Sequence, residues 1–219
     1  GFGMMRLPMN GDAVDIPQTC DMVDAFINAG FNYFDTAHGY IGGKSELAVK
    51  ACLTSRYPRD SYILTDKLSP NFFQTEADIR PYFESMLEAC GVDYFDFFLL
   101  HSLNKGNYPH YTGNRAFEIA SELKAEGKIR HVGFSFHDSY EAFEEILTYR
   151  DWDFCQIQYN YIDEDTEKRP QNPGWQGLKY AGKKELGVII MEPLRGGLLA
   201  NPPAGVRDIF ANAEIPRLP

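Results

Sequence analysis

Long apolar runs are missing from this chain. None approaches the ~20 residues needed to cross a bilayer, so no membrane span is expected. The opening GFGMMRLPMNGD lacks the basic start and apolar stretch of a secretory leader. Basic residues are scarce: 21 Lys and Arg stand against 31 Asp and Glu, a formal net charge of −10. That balance argues against a nucleic-acid backbone as partner. Cysteine is also scarce. Cys20, Cys52, Cys90 and Cys155 are scattered with no CxxC pair, so neither a zinc ribbon nor a redox dithiol is indicated. Four reduced, mostly buried thiols in a cytoplasmic protein are expected. Low-complexity stretches and charge blocks are absent, and 44% hydrophobic residues exclude disorder.

What is present is an alternation. Short apolar runs recur at FNYFD (31–35), SYILTD (61–66), DYFDFFLLH (93–101), IRHVGFS (129–135), FCQIQYN (154–160) and GVIIME (187–192), with GFGMM at the start as a further candidate. Near-continuous apolar runs of this length read as strands buried on both faces, hence a parallel sheet. Helical stripes lie between them. Met22, Val23, Phe26 and Ile27 form one, ended by Gly30; Leu47, Ala48, Ala51 and Cys52 form the next. Thr75 with Asp78 resembles a capping pair before Ile79, Phe83, Met86, Leu87 and Cys90, although Pro81 interrupts that segment early. Strand–helix alternation implies right-handed βαβ units. An open doubly wound sheet should carry GxGxxG after its first strand; GFGMMRLP lacks the third glycine.

The polar residues decide between an open sheet and a barrel. Asp35, Lys67, His101, Ser135 and Glu192 stand at or just after the C-terminal end of an apolar run, and Gln156 and Asn160 belong to FCQIQYN. In a (β/α)8 barrel those ends meet on one face, where active sites form. The expected fold is therefore an α/β (β/α)8 barrel, a single domain over 1–219 with about seven strands present. Asp35, Lys67 and His101, joined by Tyr40, make a plausible proton-donating set. A tyrosine is a poor acid at neutral pH, and a neighbouring Lys67 ammonium held by Asp35 is expected to lower its pKa. His101 would offer a hydrogen bond to a substrate oxygen. Such a group suits protonation of a carbonyl oxygen while hydride arrives at carbon.

FNYFDTAHGY, LTDKL and FFLLHS together resemble the aldo-keto reductases, and the resemblance runs on through EGKIRHVGFS, QIQYN and MEPLRGG. It implies a nicotinamide-dependent barrel enzyme that reduces an aldehyde or ketone, a small-molecule carbonyl. In that reading Tyr40 is the general acid, Asp35 and Lys67 tune it, and His101 orients the substrate. Cofactor contacts are implied for Met4, Asp35, Ser135, Gln156, Met191, Leu194, Arg195 and Gly196. Phe136 stands where the family often has asparagine, and Met191 where many members stack a tyrosine on the nicotinamide. NADPH is the expected cofactor, with NADH not excluded. GFGMMRLP, GFSFHD and MEPLRGG look like a bacterial branch whose members often carry an iron–sulfur tail; no such cysteine cluster is present, so that cluster would belong only to a C-terminal part beyond this chain.

The seventh run is followed by no eighth before EIPRLP, so the last βα unit and its adenosine-phosphate loop are expected to be missing, with weak cofactor binding as the result. NADP versus NAD preference and oligomeric state are not legible. Two rival readings remain. A non-catalytic nucleotide-binding or sensor domain would use the same barrel, since fold alone does not imply activity. A metal-dependent hydrolase would draw on His38, His101, His137, Asp35 and Glu192. No HxH or HExxH pair supports it, and Lys67 beside Asp35 puts a cation in the metal's place, so no metal site is expected.

Overall fold

The computed structural model of the chain describes residues 1–163 and 172–213; EIPRLP (214–219) lies outside the described residues. Seven strands form one parallel sheet in chain order: β1 (Phe2–Gly3), β4 (Tyr33–Asp35), β5 (Ile63–Leu68), β6 (Phe95–Leu103), β7 (Ile129–Phe136), β8 (Phe154–Gln158) and β9 (Gly187–Met191). A small antiparallel ladder of β2 (Met9–Asn10) and β3 (Ala13–Val14) precedes the first helix. The helices are α1 (Ile16–Asn28), α2 (Lys44–Val49), α3 (Glu76–Cys90), α4 (Tyr108–Gly113), α5 (Ala116–Ala125), α6 (Tyr140–Thr148), α7 (Gly174–Lys183) and α8 (Ala204–Ala211).

The sheet curls. Gln156 Nε2 on β8 donates to Asp35 Oδ2 on β4 at 3.2 Å, although three strands separate them in the sheet. In a flat sheet, four strand spacings would put them roughly 19 Å apart. The strands therefore wrap about a common axis as part of a (β/α)8 barrel, and the open-sheet alternative is excluded.

Capping and packing explain why the helices fall where they do. Asp15 caps α1 by accepting from Gln18 N, and Pro17 sits in the first turn, where its missing N–H costs nothing. Thr75 and Asp78 form the capping box of α3, which runs through Pro81 and ends at Gly91 in the left-handed conformation. Ser139 caps α6. Between sheet and helices, Phe83 of α3 meets Phe98 of β6 edge to face at 5.0 Å, and Phe143 of α6 packs on Phe134 of β7. The stripe expected at Leu47 is turned. Leu47 is 57% exposed, and α2 buries Ala48 and Val49 instead, followed by Cys52 and Leu53. A π-turn over Lys50–Thr54 continues α2 and shifts the helical phase.

Inside the curl the space is filled by large side chains. Phe97 of β6 and Phe154 of β8 meet edge to face at 4.9 Å across Gly133 of β7. A Cβ on Gly133 would stand 2.5 Å from the Phe154 carbonyl oxygen and 2.6 Å from its ring, so only glycine fits.

Candidate active site

The C-terminal strand ends open into a cavity of about 500 Å³. Asp35, Tyr40, His101, Gln156 and Met191 line it, with Met5, Arg6, Tyr33, Ser102, His137 and Glu192 among the other wall residues.

Lys67 lies beneath, 1% exposed at the end of β5. Its Nζ donates to Asp35 Oδ1 and to the Thr36 carbonyl, both at 2.6 Å, and stands 4.7 Å from the centre of the Tyr40 ring. Burial alone would drive the Lys67 pKa down. The Asp35 carboxylate and the Tyr40 side chain more than offset it, and the ammonium is held above its ordinary value. Asp35 is thus a hinge of the site, bonded to Lys67 through one oxygen and to Gln156 through the other.

Tyr40 reaches this point on a strained turn. Ile41, Gly42 and Gly43 adopt φ of 52°, 62° and 84° in succession. For a β-branched residue such as Ile41 the left-handed region is costly, and strain of this kind collects at functional sites. Beyond the turn, Ser45 of α2 ties the ends of β1 and β4 together. Its hydroxyl donates to the Met4 carbonyl at 2.9 Å and shares a hydrogen bond with Thr36 Oγ1 at 2.7 Å.

The electrostatics differ from the expectation in one respect. Burial raises the Tyr40 pKa by more than the Lys67 ammonium lowers it, and the Asp35 carboxylate adds to the rise. Lys67 spends much of its field on Asp35, 2.6 Å away, so the phenol remains protonated. His101 faces Tyr40 with ring centres 5.8 Å apart. Burial, with the Lys67 and His137 charges, pushes its pKa down to about 3. The imidazole is therefore neutral, with Nδ1 engaged by Ser69 Oγ at 2.6 Å. Burial also lowers the His137 pKa, against the opposing pull of Glu192.

The proposed cofactor residues divide into four groups. Asp35, Gln156 and Met191 line the cavity. Ser135 is buried just behind it, its Oγ accepting from Ser102 N at 2.7 Å. Met4 is wholly buried; the neighbouring Met5 and Arg6 reach the wall instead. Leu194, Arg195 and Gly196 follow the wall residue Pro193 in a turn, with Arg195 and Gly196 at φ of 50° and 69°. Gln156 Oε1 is buried with no partner among the described residues, an acceptor beside Asp35. The carboxamide N–H of a nicotinamide ring is a donor that suits such an acceptor.

Of the residues grouped for a metal site, His101, His137, Asp35 and Glu192 share the cavity, but His38 turns away to Glu46 at 2.9 Å. Sequence reasoning missed Ser69, two residues after Lys67, and Arg6. Adjacent ends of parallel strands are the signal that would find Ser69, because β5 and β6 are paired there.

Comparison with known proteins agrees with this architecture. The profile of the Aldo/keto reductase family matches residues 1–209. The chain is 27% identical over 208 residues to the NADH-specific methylglyoxal reductase of Escherichia coli, covering 87% of this chain and 60% of that protein. It is 26% identical to the uncharacterized oxidoreductase YqkF of Bacillus subtilis, covering 93% and 63%. Among solved structures, an aldo-keto reductase from Klebsiella pneumoniae in complex with NADPH superposes with a TM-score of 0.73 at 23% identity, covering 95% of this chain and 70% of that one. The holo form of an aldo-keto reductase from Bacillus halodurans gives 0.74 at 26%, covering 93% and 64%. The chain spans about 60% of the length of the Escherichia coli relative. With the family profile covering nearly all of its residues, the chain belongs to the aldo/keto reductase family.

Proposed function

We propose that residues 1–219 act as one barrel domain of a nicotinamide-dependent reductase that converts an aldehyde or ketone to an alcohol, with Tyr40 as general acid. The observation that carries this reading is that Asp35, Tyr40 and His101 line one cavity, with Lys67 buried against Asp35 and the Tyr40 ring. A reduced nicotinamide nucleotide, when bound, supplies the hydride. NADPH is named in the Klebsiella complex and NADH in the Escherichia coli reductase. Either cofactor is compatible with Gln156 Oε1, which would accept from the carboxamide while Ser135 steadies the same end.

The chain's own residues then handle one proton. Tyr40 is protonated at neutral pH, so the acid is loaded before the substrate arrives. As charge grows on the carbonyl oxygen, the Tyr40 O–H bond breaks and the proton passes to that oxygen. The phenolate left behind faces the Lys67 ammonium, which Asp35 holds in place. Neutral His101 directs the carbonyl oxygen toward Tyr40 through a ring nitrogen. Met191 would pack on the nicotinamide through its polarizable sulfur. A cytoplasmic setting agrees with four cysteines that form no disulfide. No helix among the described residues is long and apolar enough to cross a membrane.

Reduction of a panel of small aldehydes and ketones, followed by the loss of reduced-nicotinamide absorbance, tests the proposal. Turnover that disappears in Tyr40→Phe supports it. Tight nucleotide binding with no turnover on any carbonyl would favour a nucleotide-holding module instead.

A further inference from the structure

On the other face of β5 from Lys67, two carboxylates meet in the dry interior. Asp66 precedes Lys67, so its side chain points away from the cavity, toward the helices. There it finds Glu46 of α2 and Cys90 at the end of α3. The three are 0%, 1% and 0% exposed, and one polar atom from each lies within 4.8 Å of the others. Asp66 Oδ1 accepts from Lys67 N at 2.8 Å, and Oδ2 accepts from the Cys90 thiol at 3.5 Å. Glu46 Oε2 is bonded to His38 Nδ1 at 2.9 Å. Glu46 Oε1 is buried and has no hydrogen-bond partner among the described residues.

The surrounding charges do not balance two carboxylates. His38 serves only the outer oxygen of Glu46. The Lys67 ammonium is turned into the site and held by Asp35. Lys50 acts on the Cys90 thiol, whose pKa burial and the two carboxylates raise. Tyr82 of α3 is a neutral phenol, pushed up by burial and by the same carboxylates. Two like charges this close in a low dielectric do not both ionise.

We propose that Asp66 and Glu46 form a one-proton pair, in which a single proton held between Asp66 and Glu46 Oε1 fastens β5 to α2 behind the Lys67 ammonium. The pair then carries one negative charge instead of two. Burial and the Glu46 charge raise the Asp66 pKa well above the carboxylate range, in keeping with a retained proton. The consequence reaches the site, because a negative charge on Asp66 opposes ionisation of Tyr40. This inference concerns the folded chain and does not depend on the reaction.

Linkage fixes the sign. An aspartate in the unfolded chain releases its proton near pH 4, whereas the folded pair keeps it. Stability is therefore fully present below that pH and declines as pH rises toward the folded pKa, by about tenfold in the folding equilibrium per pH unit. Asp66→Asn supplies the donor permanently and leaves one carboxylate. Urea unfolding of the chain and of Asp66→Asn, Glu46→Gln and the double variant, between pH 5 and 8, tests this. Relative to Asp66→Asn, the parent should lose about tenfold per pH unit. Asp66→Asn should remove the slope and the double variant no more, whereas Glu46→Gln, which leaves Asp66 buried, should flatten it only in part. Parallel pH curves for parent and variants would overturn the proposal, as would a slope that disappears only in the double variant. A buried cation is the competing occupant. If Zn²⁺ added to the metal-free chain stabilises the parent but neither single variant, the proton is replaced by a metal and the proposal fails. Should Asp66→Asn not fold, the partial flattening in Glu46→Gln carries the test, and an unchanged slope there overturns the proposal.

Discussion

Replacing Lys67 with methionine separates packing from charge at the centre of the site. The methionine fills most of the same volume, so the cavity left behind is small. What is lost is an ammonium 1% exposed, bonded to Asp35 Oδ1 and the Thr36 carbonyl at 2.6 Å each. Removing one partner of a buried ion pair costs about 3–5 kcal/mol, because the other charge is stranded. Asp35 retains its bond from Gln156, and its side chain is 15% exposed, so water can reach it. The lower end applies, about 3 kcal/mol, or roughly 6–12 °C in Tm for a chain of this size. Asp35→Asn in the same background removes the stranded charge and should recover about 1.5 kcal/mol through coupling. Urea unfolding of the parent, both single variants and the double variant gives that coupling directly. Additive losses would show that Lys67 and Asp35 do not act as a pair, and the reading of Lys67 as a held charge would fail with them.

Three further outcomes follow from other parts of the fold. Gly133→Ala should destabilise by about 2–3 kcal/mol through overpacking against Phe154, and unchanged thermal stability would mean that β7 and β8 have more room than the structure gives them. Asp96, 4% exposed, accepts from Arg59, Arg130 and Leu64 N at the opposite end of the sheet from the site. Asp96→Ala should cost about 3 kcal/mol of stability while leaving nucleotide affinity intact. His101, with its pKa pushed down to about 3, stays neutral when folded but binds a proton near pH 6.5 when unfolded. Its burial therefore costs stability as pH falls from about 6.5 toward 3, and His101→Gln should lose less stability than the parent between pH 7 and 4 in urea titrations.

The alternation of apolar runs and amphipathic stripes was enough to locate the parallel strands, because a strand buried on both faces has few other ways to read. FNYFD, SYILTD and FCQIQYN correspond to β4, β5 and β8 within two or three residues. Curvature was legible only indirectly, through the polar residue at the end of each run. Its direct sign is the Gln156–Asp35 bond, which spans 121 positions of sequence. Helix phase was less legible, since the π-turn after α2 carries Leu47 outward and no residue pattern announces it. Charge balance was the least legible. The sequence places Lys67 near Tyr40 but not the depth of the phenol, and depth decides the direction of its pKa. The Asp66–Glu46 contact was invisible for the same reason. In sequence, Asp66 is one polar residue within an apolar run, and Glu46 one acid on a short helix.

Single-turnover reduction of a small aldehyde by the protein and its Tyr40→Phe variant reports whether Tyr40 gives the proton. Tyr40→Phe removes one hydroxyl and leaves the ring on its turn. The variant should keep its nucleotide affinity and lose about 10²–10⁴-fold in reduction rate, the range for a lost general acid. Lys67→Met added to Tyr40→Phe should slow the reaction little further, since the two act as one unit. A Tyr40→Phe variant that reduces the aldehyde at the parent's rate would contradict the account and assign the proton to another group.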